Sequence, residues 1–222
     1  MSRWPNKYVI GLTGNIAVGK SVVRQMLQHL GAYTIDADGL VHQAMAPGAP
    51  AYKPIVDTFG QFILNAEKQI DRAILASVVF ANPAALAKLE AITHPIVGQA
   101  INVLVSRAQQ SVIVVEAIKL LEGDLAKLVD AVWVVDAKAE TQIKRLMDKR
   151  KMPEAEARQR VAAQNPQVEK LAKANIIIHN DGNVEETWKQ VQSAWTAIPK
   201  PAAPAAAAPA PKPAAAAPAQ PA

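Results

Sequence analysis

Gly14-Asn-Ile-Ala-Val-Gly19-Lys20-Ser21 has the form G-x-x-x-x-G-K-[ST]. A strand-like run, Tyr8-Val-Ile-Gly-Leu12, precedes it, and an amphipathic segment, Val22-Val-Arg-Gln-Met-Leu27, follows. Two glycines at that spacing let the backbone bend with its N–H groups turned inward, and the start of the following helix adds the positive end of its dipole. Gly14, Asn15, Ile16, Ala17, Val18, Gly19, Lys20 and Ser21, with Val22 opening the helix, are therefore expected to cradle the phosphates of a nucleotide. Lys20 is expected to reach the β- and γ-phosphates and Ser21 to hold Mg²⁺. The loop establishes triphosphate binding but no reaction, because GTPases, motor ATPases and small-molecule kinases share it.

Outward from the loop, four more apolar runs recur: Ala32-Tyr-Thr-Ile35, Val112-Ile-Val-Val115, Ala131-Val-Trp-Val-Val135 and Asn175-Ile-Ile-Ile178. They are near-continuous rather than alternating, as strands covered on both faces require. Helical periodicity fills segments 20–30, 83–107, 137–150, 153–164 and 184–197, with Pro153 expected at a first helical position. The pattern predicts a three-layer α/β fold with a five-stranded parallel sheet. Residues 41–106 carry no strand signal and are expected to form a helical substrate-binding insert; residues 145–168, rich in cations, are expected to form a small lid.

Composition bounds the function. The 222 residues suit one domain, with the kinase-like unit placed at 1–198. Residues 199–222 hold 13 Ala and 8 of the 16 prolines; this tail is expected to be disordered or extended and a dispensable spacer. Without it the chain has 22 basic and 19 acidic side chains, a net charge of +3 against +5 overall. With no block of like charge and few aromatics, small anions suit it better than nucleic acid. The absence of cysteine excludes disulfides, thiolate metal sites and thiol nucleophiles. Neither a signal-peptide core nor an apolar run of roughly 18–20 residues is evident, so a soluble cytoplasmic protein without a membrane partner is expected.

The second strand ends in Ile35-Asp36-Ala37-Asp38. Carboxylates at the C-terminal edge of a parallel sheet lie where open α/β folds bind ligands. Read as extended chain, Asp36 and Asp38 share a face. One of them can orient an attacking hydroxyl and accept its proton, or Asp38 can cap the following helix.

The loop, the Asp36-Ala-Asp38 triplet, Ile70-Asp-Arg-Ala-Ile-Leu75, Leu89-Glu-Ala-Ile-Thr-His-Pro95 and Asn180-Asp-Gly182 occur in that order. Together they resemble the dephospho-CoA kinases, P-loop enzymes of the last step of coenzyme A biosynthesis, over about residues 8–197. The resemblance implies transfer of the ATP γ-phosphoryl group to the ribose 3′-hydroxyl of dephospho-CoA, with Asp38 at the base position. It implies acceptor contacts from Thr13, Asp36, Asp38, Arg72 and His94, and a monomer or weak homo-oligomer is expected. On the residues alone, Arg72 could instead pair with Asp71 or Glu90, and His94 could be structural. Arg145, ahead of Lys149-Arg150-Lys151, is expected to stabilise transition-state charge. Glu116 is expected on the Mg²⁺ shell, with a solvated strand-end charge as the other reading. Asn180-Asp181-Gly182 is expected to be a turn beside the adenine, contacting it through backbone.

The chain also departs from the family pattern. Asn15, Ala17 and Val18 stand where the family usually reads Gly-Gly-Ile-Gly-Ser-Gly-Lys-Ser. Glu116-Ala-Ile-Lys-Leu-Leu-Glu122 replaces Asp-x-Pro-Leu-Leu-Phe-Glu, and the Arg-Asp pair frequent in the family's lid is not kept. The alternatives to dephospho-CoA phosphorylation are another small-molecule or nucleoside monophosphate kinase, and a non-catalytic nucleotide-binding regulator.

Overall fold

The computed structural model describes residues 3–164 and 167–199. The expectation for the tail therefore lies outside the described residues, apart from Pro199. Five strands, β1 (Tyr8–Thr13), β2 (Tyr33–Asp36), β3 (Val112–Glu116), β4 (Ala131–Asp136) and β5 (Ile176–His179), form one sheet in the order β2-β3-β1-β4-β5, every pair parallel. The five strands match the five apolar runs to within a residue; β1, β3 and β4 are buried on both faces and cannot alternate, whereas the edge strands β2 and β5 are only partly covered and Ile177 is exposed.

Nine helices are described: α1 (Lys20–His29), α2 (Ala37–Ala44), α3 (Tyr52–Phe59), α4 (Arg72–Phe80), α5 (Pro83–Arg107), α6 (Ala139–Arg150), α7 (Glu154–Ala162), α8 (Gln167–Ala172) and α9 (Val184–Thr196). Side chains alternate across the sheet. Ile10, Leu12, Val114, Trp133 and Val135 face α1 and α9, packing on Val23, Leu27, Val191 and Trp195. Val9, Ile113, Val115, Val132 and Val134 face the other way, onto Val97, Ile101 and Val105 of α5. These are the two helical layers of a three-layer α/β fold.

Between β2 and β3 the chain is helical, with one short 3-10 turn, Gln61–Ile63, and one isolated antiparallel bridge, Leu64 to Ile70. It has its own core of Ile55, Ile63, Leu75 and Val79. Local chemistry starts its helices: the Asp71 carboxylate caps α4, and Asn82 caps α5 with Pro83 at the first turn. α5 continues through Pro95.

Two local expectations change. Pro153 is the residue before α7 rather than its first, with Glu154 and Glu156 in the first turn. Asp36 and Asp38 do not share an extended segment, because α2 begins at Ala37 and Asp36 is its cap, accepting from the Gly39 amide at 2.9 Å. Capping satisfies a free helical N–H, which an extended chain there would leave to water.

The order β2-β3-β1-β4-β5 makes the C-terminal end of β1 the switch point, since the chain leaves it to one side through α1 and returns to the other from β3 to β4. The register pairs Leu12 with Glu116 and Asp36 with Glu116, so the three strand ends finish on one line beside the glycine loop. Trp133, 1% exposed in the sheet centre, is the largest fully buried side chain. Trp133→Ala should lower unfolding free energy by about 3–5 kcal/mol in urea titration; a loss below about 1 kcal/mol would show that this layer collapses around the gap.

Candidate active site

The loop runs from Thr13 to α1 with two glycines in conformations closed to other residues. Gly14 has φ 148°, and a Cβ there would lie 2.4 Å from the Val135 carbonyl oxygen. Gly19 has φ 101°, and a Cβ would meet the Asn180 amide nitrogen at 2.0 Å. Ala17, where the family usually has glycine, also has positive φ, 57°, a conformation that costs an L-residue roughly 1–2 kcal/mol. The departures at Val18 and Ala17 are absorbed by packing: Val18 is fully buried in the sheet core, while Ile16 and Ala17 rest on the Leu146 and Ala157 cluster between α6 and α7. Val22 likewise packs toward the sheet core.

Lys20 is buried and spans the loop, donating to the Gly14 and Asn15 carbonyls at 2.9 and 3.1 Å. Burial pushes its ammonium below the usual lysine range, opposed by the nearby charges of Glu116 and Asp38. Ser21 is exposed at the start of α1. Not every loop amide faces inward to an open site. The Asn15 amide donates to Gln167 Oε1 at 3.3 Å and the Ile16 amide to Gln164 Oε1 at 2.8 Å, so the helices after α6 reach back to the loop.

Across the crevice, Asp38 Oδ2 accepts from the Ile118 amide at 3.1 Å. Desolvation raises the Asp38 carboxyl above its ordinary range, with that amide opposing. Glu116 is raised by burial too, while Arg24 Nε, 2.9 Å from its carboxylate, pulls it down. Lys20, Asp36, Asp38 and Glu116 thus form one electrostatic group at the strand ends. Glu116 is not a solvated strand-end charge; α1 supplies its partner.

Thr13 is the clearest correction. Expected on the acceptor, it is fully buried, and its hydroxyl donates to the Ile118 carbonyl at 3.1 Å. The side chain that ends a central strand is covered by the next crossing segment and serves that segment instead.

Arg145 is likewise not aimed at open phosphate space. Nη1 donates to the Ala17 and Val18 carbonyls at 3.2 and 3.0 Å, and Nη2 to the Asn180 carbonyl at 2.6 Å. Three carbonyls satisfy the guanidinium, which clamps the back of the loop to the turn after β5. Asn180 adds its own bond, Nδ2 to the Val18 carbonyl at 2.7 Å, while its Oδ1 accepts from Thr187. Side chain as well as backbone therefore acts at this turn, and Asp181 caps the start of α6 through the Lys138 amide and the Thr141 hydroxyl. Lys149 and Arg150 are exposed at the end of α6.

Arg72 and His94 share a pocket with Asp38. All three line a cavity of about 940 Å³ enclosed by α2, α4, α5 and residues 117–128. Arg72 pairs with neither alternative partner: Asp71 caps α4, and Glu90 bonds Lys119 at 3.1 Å. Its charge lowers the pKa of His42, after the larger effect of burial. The walls are mostly apolar, with Val41, Leu75, Val79, Leu86, Leu89 and Leu125 among them. A cavity of this size and lining suits an acceptor with a long, weakly polar arm beside an anionic end.

Among the described residues no group of three His, Asp, Glu or Cys could cage a metal, and no helix is long and apolar enough to cross a membrane. The oxygen donors beside Lys20, namely Ser21 and Glu116, fit Mg²⁺, which keeps several waters and takes only one or two protein oxygens alongside phosphates.

The arrangement has relatives. The family model described as dephospho-CoA kinase matches residues 8–186. A dephospho-CoA kinase of Geobacter metallireducens is 45% identical over 190 residues, covering 84% of this chain and 94% of that protein. One from Streptomyces avermitilis is 43% identical over 190 residues, covering 85% and 93%. Among solved structures, the dephospho-CoA kinase from Campylobacter jejuni superposes with a TM-score of 0.61 at 28% identity, covering 87% of this chain and 96% of that one. A Thermus thermophilus protein gives 0.76 at 28% identity, covering 86% and 97%.

The Arg145 clamp predicts a specific kinetic signature. Arg145→Ala should raise KM for ATP about tenfold, from the loss of loop bonds worth about 0.5–1.5 kcal/mol each, with kcat at saturating ATP changed less than about threefold. A large fall in kcat at unchanged KM would make it a transition-state residue instead.

Proposed function

The chain belongs to the dephospho-CoA kinase family, and we propose that it moves the γ-phosphoryl group of ATP to the ribose 3′-hydroxyl of dephospho-CoA with Asp38 as the acceptor-side base. The observation that carries the assignment of Asp38 is its position: among the described residues it is the one carboxylate that both lines the large cavity and acts electrostatically on the loop lysine. The family match does not favour the readings as another small-molecule kinase or as a non-catalytic nucleotide binder.

The loop, clamped by Arg145 and Asn180, holds the triphosphate, with Lys20 turned from its loop carbonyls toward the β- and γ-phosphates. Dephospho-CoA lies in the large cavity. Arg72 takes an acceptor phosphate, for which a guanidinium is suited by its fork of donors, and His94 borders the same ligand. The apolar walls cover the pantetheine arm. We assign residues 41–106 to acceptor binding and 145–168 to the lid, whose Lys149 and Arg150 carry charge toward the nucleotide.

Asp38 accepts the proton as the 3′-oxygen bonds to the γ-phosphorus; the bond from that phosphorus to the β–γ bridging oxygen breaks, and ADP leaves. Asp36 holds α2, and thereby Asp38, at the strand end through its cap. Ser21 and Glu116 would hold Mg²⁺, directly or through water, and the ion supplies charge neutralisation on the phosphates. Catalysis is then positioning and electrostatics rather than covalent chemistry. We place the enzyme in the cytoplasm as a monomer or weak homo-oligomer acting on these two small molecules.

ADP release with ATP and Mg²⁺ should rise strongly with dephospho-CoA and stay near background with adenosine or AMP; stimulation by AMP instead would overturn the acceptor. Asp38→Asn should lower kcat by about 10²–10⁴-fold, the range for a general base, with KM for ATP held. Undiminished turnover would remove Asp38 from the role. Because burial holds the Asp38 carboxyl above its usual range, the unprotonated base is lost earlier as pH falls. The acid limb of kcat/KM should therefore stand above the ~3.9 of a free aspartate, and be absent from the residual turnover of Asp38→Asn.

A further inference from the structure

One buried cation has no place in that account. Lys170 lies on α8 and is 5% exposed, a burial that ammonium groups seldom reach without partners. Its Nζ donates to the Ile118 carbonyl at 3.2 Å, the same oxygen that accepts from the Thr13 hydroxyl at 3.1 Å. On the other side of that residue, the Ile118 amide is the donor to Asp38 Oδ2 at 3.1 Å. Residue 118 is therefore held by its backbone at both ends, while its side chain is 41% exposed and lines the acceptor cavity. The Ala117 amide, bonded to the Leu12 carbonyl at 3.1 Å, and the buried Leu120 tie the segment to the sheet on either side, and the polar bonds at residue 118 set the direction of its peptide.

We propose that Lys170 is a positioning residue for the reaction: by fixing the Ile118 carbonyl, it aims the Ile118 amide at Asp38 and so sets the orientation of the acceptor-side carboxylate. The inference rests on the reading of Asp38 as the base.

Three further observations support it. Lys170 lies one helical turn from Gln167, whose Oε1 accepts from the Asn15 amide at 3.3 Å and whose Nε2 donates to the Val135 carbonyl at 2.9 Å. α8 is thus pinned to the nucleotide loop and to β4, and Lys170 has a fixed base from which to hold the acceptor segment. The charges around it favour the ammonium form: burial lowers its pKa, but Glu122 and Asp38 oppose that. Lastly, position 118 is where many family members carry proline, which has no N–H to donate. Ile118 keeps its N–H, and because that N–H bonds Asp38 the direction of the 118 peptide matters.

The test compares Lys170→Met, which keeps length and removes the charge, with Lys170→Arg, each alone and with Asp38→Asn. Steady-state kinetics are read for both substrates beside the melting temperature. Lys170→Met is expected to lower kcat at least tenfold with KM for ATP within about threefold, and Lys170→Arg to recover most of the loss. In the Asp38→Asn background the Lys170→Met effect should shrink to under about twofold, because a residue acting through Asp38 has nothing left to position. Should Lys170→Met melt below the assay temperature, the whole cycle is run at a temperature at which every variant is folded. An unchanged kcat overturns the inference, as does an equal loss with and without Asp38, which would mean that the ammonium acts on phosphate directly. If instead Asp38→Asn alone leaves turnover intact, the reading of the base fails, and that result is separate from either outcome at Lys170.

Discussion

The alignment of three parallel strand ends is the constraint on which the site depends. β1, β2 and β3 finish in register, with Leu12 and Asp36 both opposite Glu116. Parallel pairing permits no tight hairpin, so every connection must cross a face of the sheet through a helix. The chain emerging from each strand therefore enters a common crevice. From β1 comes the loop with Lys20, from β2 the capped turn that presents Asp38, and from β3 the segment whose residue 118 closes over Thr13. No one of these segments could build the site alone, because the donor and acceptor halves arise on different strands.

Charge is then packed into this crevice at a density that water would normally be needed to offset. Lys20 and Lys170 are both buried, and Asp38 and Glu116 are partly so. Desolvation works against ionisation of all four, and each is countered by neighbours of opposite sign or by a backbone group. Removing any single partner would strand another charge, so the cluster is tied together. Such an arrangement suits phosphoryl transfer, where preformed charges meet the phosphates without reorganising. The surface pairs of α7, such as Arg158 with Glu154 and Arg160 with Glu156, are exposed and contribute little by comparison.

The departures from the family pattern become legible in this frame. Ala17 takes a left-handed conformation that glycine would adopt without strain, and its contact with the α6–α7 cluster offsets part of that cost. Val18 fills a core position. Lys119, at a position in the altered Glu116-to-Glu122 segment, finds Glu90 across the cavity. Ile118 supplies an amide that donates to Asp38. The loop keeps its function because its two obligatory glycines are kept, while the acceptor segment is re-anchored by polar bonds.

The sequence by itself determined the strands, the loop and the approximate helices, because these follow from patterns a few residues long: continuous apolar runs, glycines at fixed spacing and helical periodicity. It also put Arg72 and His94 in the helical insert and Lys20 where loop meets helix, while Asp38, read as the end of a strand, lies on α2. Only the tertiary structure decided what those residues touch. Asp36 and Asp38 were legible as a pair, yet one hydrogen bond to Gly39 turns Asp36 into a cap and sends Asp38 alone into the crevice. Thr13 and Arg145 carry chemistry suited to a ligand, but chain segments more than a hundred residues away reach them and take up their donors. Arg24 and Lys170 gave no signal, since a cation on a helix reads as solvated until its neighbours are known. Contacts between residues distant in sequence have no periodicity, so their partners are set by how the layers pack rather than by any local pattern.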